Sequence, residues 1–199
     1  MAMAMEQQVT GHQPSRVLIL PLPELGHINP QLKLAELLAL SGIHVTFLNT
    51  LSMHNRLLLH ADIEARFASY SGFVFKTISD GLPDDHPRSA EKKTDVIVSM
   101  IMKTKKLLKQ MLASGQLGLV TCIIVDRVFA GFTTEVADEL QIPIMQFSAM
   151  SACGDWAMTS IRNLVETGQL PIRGTSFSNF QISKTKQSRV YWKKMKLLS

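Results

Sequence analysis

The chain holds only two cysteines, Cys122 and Cys153, and their spacing makes neither a CxxC pair nor a zinc-ligand set. Asn-x-Ser/Thr acceptor sites are absent as well, so a reducing, cytoplasmic compartment is expected. Long apolar runs are also missing. The run 17–22 (VLILPL) ends at Pro23 and Glu24, too short for a signal-peptide core and far too short to span a bilayer. No GxGxxG follows that run and no GxxxxGK[ST] occurs, which removes the usual dinucleotide and P-loop phosphate cradles. The lack of a GxSxG nucleophile elbow argues against an α/β-hydrolase.

Acidic residues are lacking from 175–199, where six of the 21 basic residues lie (Lys184, Lys186, Arg189, Lys193, Lys194, Lys196). The net charge of +5 therefore belongs to this tail, because the remaining fifteen basic residues are balanced by sixteen acidic ones. The tail has the charge to meet a polyanion but no RNA- or DNA-reading motif. Its Ser-, Thr- and Lys-rich composition is that of a solvated, poorly ordered segment, and nucleic acid is not an expected partner.

What is present is a chain of 199 residues with 46% hydrophobic content, enough for one sizeable core. Short apolar runs at 16–22, 43–49, 73–78, 121–125 and 142–147 predict strands. Between them, helical spacing predicts helices over 29–41, 52–60, 94–113, 129–140 and 151–166. In the first helix Leu32, Ala35, Leu38 and Ala39 form the apolar stripe; in the long one Val96, Met100, Ile101, Leu107, Leu108 and Met111 face the core. Met100, Met102 and Met111 are read as core filler, and His44, His54 and His60 as surface or packing histidines.

This alternation implies an α/β class fold, a doubly wound Rossmann-like parallel sheet with right-handed crossovers. Ligands of such sheets bind beyond the carboxyl ends of the strands, where strand order reverses. His27 follows the first strand and Asp126 ends the fourth. With strand order 3-2-1-4-5 these two strands are neighbours, so the side chains are within reach of each other. An aspartate on one ring nitrogen would fix the imidazole tautomer and leave the other nitrogen free to take a hydroxyl proton. From the residues alone, a dyad and two unrelated loop polars both stand.

Two further clusters have competing readings. Asp80, Asp84, Asp85 and His86 are metal-ligand types, but they sit among turn formers, which favours a solvated loop. The small-residue stretch 148–154 (SAMSACG) is either a place where a ligand approaches backbone or a tight strand-to-helix junction.

Four segments, 21–50 (PLPELGHINPQLKLAELLALSGIHVTFLNT), 78–89 (ISDGLPDDHPRS), 121–140 (TCIIVDRVFAGFTTEVADEL) and 142–153 (IPIMQFSAMSAC), are followed by LPIRG. In this order they resemble the amino-terminal domain of plant UDP-sugar-dependent glycosyltransferases, particularly the branch that glucosylates iridoid monoterpenes. The resemblance runs from about residue 16 to 174. It implies the amino-terminal half of a two-domain GT-B fold, with 1–15 a disordered segment, 16–174 an acceptor-binding domain and 175–199 a divergent basic tail.

The resemblance also implies roles. His27 would be the base that takes the acceptor proton and Asp126 the residue that orients it, in an inverting transfer from a UDP-sugar co-substrate without a metal ion. Gly26 would keep backbone close to the sugar, and Leu25, Leu82, Phe129 and Met150 would line the acceptor. Two positions depart from the family pattern: Arg127 stands where glycine is usual, and Ala149 where threonine commonly meets the sugar. The tryptophan-, histidine- and glutamine-containing box that holds UDP has no counterpart in these residues. A chain without the donor-binding half is expected to be inactive alone, its partners being a small-molecule acceptor and, only with a donor domain supplied, the UDP-sugar. The alternative is a non-catalytic small-molecule-binding or interaction protein built on the acceptor domain.

Overall fold

The computed structural model describes residues 16–170; the segment 1–15 and the tail 175–199 fall outside the described residues. The chain divides between Ala149 and Met150 into two units. The first begins with β1 (Arg16–Leu20), which stops where Pro21 and Pro23 withdraw the N–H groups a strand needs. α1 (Leu25–Leu40), β2 (His44–Thr50), α2 (Leu51–Ala61), α3 (Ile63–Phe67) and β3 (Phe73–Ile78) follow. A 3-10 turn at Ala90–Lys92 leads into α4 (Lys93–Ala113). Next come β4 (Val120–Asp126), a 3-10 turn at Arg127–Phe129, α5 (Ala130–Leu140) and β5 (Ile144–Phe147).

All strand pairs are parallel, as the alternation implies, and the order is β3-β2-β1-β4-β5, the one under which β1 and β4 are neighbours. Successive strand side chains point to opposite faces, so each strand feeds two cores. Leu18, Leu20, Leu48, Ile123 and Val125 pack with Met100 and Leu108 of α4 and with Phe129 and Phe132. On the other face Ile19, Val45, Phe47 and Ile124 pack with Ile28, Leu32 and Ala35 of α1, Met53 and Leu57 of α2, and Phe67 of α3.

α1 starts a full turn before the residue its proline suggests. The Glu24 carbonyl accepts from the His27 and Ile28 N–H groups, closing the first turn before Pro30 is reached. Pro30 then costs one hydrogen bond, the one that would reach the Gly26 carbonyl. The early start places His27 on the helix. α3 has no counterpart in the sequence expectation; tertiary contact makes it, since Ile63 and Phe67 are buried and the Phe67 ring stacks on Phe73 at 4.3 Å between centroids.

Among the methionines, Met100 and Met111 are core residues, but Met102 is 66% exposed, which corrects its reading as filler. Two residues along a helix turn it by about 200°, so Met102 lies opposite Met100. His54 is buried with its ring 5.4 Å from Phe75, whereas His60 is exposed. His44 is half-buried beside Arg16.

The second unit carries α6 (Ala152–Glu166). The Ser151 hydroxyl accepts from the Gly154 N–H at 3.2 Å, an N-cap that makes the small-residue stretch a capped helix start.

One surface cluster ties α1 to α3 and the turn after it. Glu36 accepts from Lys33 (2.9 Å), Arg66 (3.0 Å) and the Tyr70 hydroxyl (3.0 Å). These bonds, with the Lys33 bond the largest influence, lower its pKa from 4.5 to about 2. Because folding lowers this pKa, the contribution to stability is complete above about 4.5 and fades as pH falls toward 2. An NMR titration of the Glu36 carboxyl should therefore give a midpoint of about 2. Glu36→Gln should remove the part of acid destabilisation that falls in that window.

Candidate active site

The geometry that matters sits at the carboxyl ends of β1 and β4. Their register pairs Leu20 with Val125, so Asp126 projects one residue beyond the end of β1. The short link 21–24 returns the chain into α1, whose first turn passes over this point. His27 Nδ1 lies 2.8 Å from Asp126 Oδ2. The Asp126 side chain is 2% exposed and the His27 side chain 28% exposed, so the pair has a buried acid and an imidazole that reaches solvent.

Asp126 is held by two further donors. Its Oδ1 accepts from the Val128 N–H at 3.1 Å, capping the 3-10 turn, and its Oδ2 accepts from Gln31 Nε2 at 3.0 Å. An ionised carboxylate is acceptor-only, so this network assigns the His27 proton to Nδ1 and leaves an Nε2 lone pair available. Chemically, the arrangement is an oriented imidazole ready to accept a proton from a nearby hydroxyl. Sequence reading missed Gln31. Its one signal was a polar residue four positions after His27, on the same helical face as Ile28, Leu32 and Ala35.

The other expected site residues are spread more widely. Leu25 opens α1 and is exposed, next to Gly26, where an added Cβ would meet nothing within 4 Å. Leu82 is half-buried and helps line a cavity of about 320 Å³ with Leu51, Asn55, Thr77 and Asp80, beyond the carboxyl ends of β2 and β3. Phe129 has no exposed surface and packs against Phe132 in the α4-side core. Its side chain is thus a packing element with no face open to a ligand. Ala149 is half-buried two residues past β5. Met150 opens the second unit and is exposed there. Arg127, directly after Asp126, is half-buried.

The acidic loop is engaged internally. Arg88 donates from Nε to Asp80 Oδ2 (2.6 Å) and from Nη2 to Asp80 Oδ1 (3.1 Å), while the Leu82 N–H also donates to Asp80 (3.0 Å). Burial pushes the Asp80 pKa up, but the Arg88 hydrogen bond, the Leu82 N–H and the Arg88 charge outweigh it and bring it below the usual carboxylate value. His86 faces Asp95 at 3.4 Å. Among the described residues no group of three or more His, Cys, Asp or Glu side chains is placed to hold a metal ion.

No protein-family model matches the chain. It is 44% identical over 167 residues to a 7-deoxyloganetic acid glucosyl transferase of Catharanthus roseus, covering 81% of this chain and 34% of that protein. UDP-glycosyltransferase 85A3 of Arabidopsis thaliana is 36% identical over 175 residues, covering 84% of this chain and 35% of that protein. The chain spans about a third of the length of the curated relatives it matches. The fold is that of solved glycosyltransferases. An anthocyanidin 3-O-glucosyltransferase in complex with UDP superposes with a TM-score of 0.59 at 23% identity, over 79% of this chain and 35% of that one. UGT89C1 of Arabidopsis thaliana complexed with quercetin gives 0.53 at 20%, over 66% and 34%. The five-stranded sheet with its flanking helices is thus the amino-terminal half of a GT-B fold. Among the described residues no helix is long and apolar enough to cross a membrane.

Phe129→Ala should lower stability by about 3–5 kcal/mol, the cost of emptying a filled aromatic site in a core. Urea unfolding measures it, and a loss below about 1 kcal/mol would remove the packing assignment.

Proposed function

We propose that this chain, homologous to the amino-terminal third of plant UDP-glycosyltransferases, is the acceptor-binding, base-carrying half of an inverting UDP-glucose-dependent glucosyltransferase. The observation that carries the reading is the 2.8 Å hydrogen bond between His27 Nδ1 and the buried Asp126. In the proposed reaction His27 Nε2 takes the proton from a hydroxyl or carboxyl group of a small plant metabolite of the iridoid or terpenoid class. The freed oxygen pair attacks the anomeric carbon from the face opposite the leaving group. The bond from that carbon to the phosphate oxygen breaks, UDP departs with the electron pair, and configuration inverts. Asp126 stabilises the imidazolium formed on His27.

The reading takes the cavity lined by Leu82 as the acceptor's space, and its volume of about 320 Å³ is at the small end of ligand sites. Gly26 and Leu25 flank the base, and the reading places a sugar or acceptor against their open side. Within the proposal, UDP is held by a second domain, so the 199 residues alone bind acceptor but turn over little, in the cytoplasm, with no metal. Arg127 and Ala149, which replace the family's glycine and threonine, favour a second reading, a non-catalytic binder of the same small molecules.

Purified chain incubated with UDP-glucose and a panel of iridoids, monoterpenols and flavonols should give little or no glucoside, while calorimetry detects acceptor binding. Joining it to the carboxyl-terminal domain of a relative should restore glucoside formation. In that chimaera His27→Ala should reduce kcat by about 10²- to 10⁴-fold. Glucoside formation insensitive to His27→Ala would overturn the assignment of the base, and binding without any transfer by the chimaera would establish the second reading.

A further inference from the structure

We infer that Gln31 is a positioning residue of the His27–Asp126 pair, holding the carboxylate in the rotamer that keeps the histidine proton on Nδ1. The inference rests on the proposed base role of His27. Gln31 is fully buried on the inner face of α1, one turn beyond His27. The neighbouring inward positions Ile28, Leu32 and Ala35 are apolar, and an aliphatic side chain at 31 would complete that stripe. A carboxamide there has a cost: its Oε1 is enclosed and makes no hydrogen bond among the described residues. Packing therefore does not account for the residue type, whereas the 3.0 Å bond from Nε2 to Asp126 Oδ2 does.

That bond has a specific consequence. Oδ2 receives both His27 Nδ1 (2.8 Å) and Gln31 Nε2 (3.0 Å), so both of its lone-pair directions are engaged. The Val128 N–H takes Oδ1. With donors on both oxygens the carboxylate has no free rotation, and the oxygen facing the imidazole stays an acceptor. Without Gln31, the same carboxylate keeps one anchor from the backbone and one from the residue it is meant to orient. Gln31 and His27 lie four residues apart on one helix, so α1 supplies the proposed base and the clamp on its partner as a single rigid unit.

The test uses the full chain without sugar or acceptor, so it reports on Gln31 even if no glucose is ever transferred. In ¹⁵N-labelled protein, long-range imidazole spectra should show His27 protonated on Nδ1, with that proton exchanging slowly with water. Gln31→Met keeps the side-chain length and cannot donate. It should accelerate His27 Nδ1–H exchange about tenfold or more, the scale of losing one hydrogen bond to a charged acceptor, while backbone amides of β4 keep their protection. Unchanged Nδ1–H exchange in a folded Gln31→Met protein overturns the inference. If that variant does not fold, the parent chain decides through the Gln31 carboxamide itself. One of its protons should be protected relative to those of exposed Gln110, and equal exchange at the two glutamines overturns the inference.

Discussion

Asp126 places a carboxylate at the buried end of β4, and much of the site's local structure follows from satisfying it. An unpaired carboxylate at 2% exposure would cost several kcal/mol. Three donors remove that cost: the His27 ring, the Gln31 carboxamide and the Val128 N–H. They come from α1 and from the turn that opens α5. The acid thus fastens a crossover helix to a strand and starts the next helix, and the imidazole it grips reaches solvent.

The sheet was readable from the chain because burial on both faces demands continuous apolar runs, and five such runs alternate with helical spacing. Each expected strand overlaps an observed one, and the order β3-β2-β1-β4-β5 is one of those that right-handed parallel crossovers allow. Boundaries were less legible. Pro30 marks a helix start in ordinary reading, yet the Glu24 carbonyl closes a turn upstream of it. The five-residue α3 is too short to stand alone and is held where Ile63 and Phe67 enter an aromatic cluster. Met102 carried the composition of a core residue at the wrong angle of α4.

The site was legible in part. His27 and Asp126 were identifiable as polar residues at strand ends, and the family likeness gave each a role. Their 2.8 Å approach depends on β1 and β4 being neighbours with Leu20 opposite Val125. Gln31 was hidden because a polar residue in an apolar helix stripe carries no mark of what it meets. Phe129 shows the converse: the family likeness implied a ligand wall, but in space it fills the core beside Phe132. The acidic loop after β3 follows the same logic, with Asp80 bound to Arg88 from within its own loop.

By itself the sequence determined the fold class and the kinship with plant glycosyltransferases, because those depend on periodicity and on ordered local motifs. Only the tertiary structure decided which polar residues share Asp126, where α1 begins and which hydrophobic residues are core. The partners of Asp126 depend on distances between residues 95 to 99 positions apart, which strand pairing sets and no local pattern encodes.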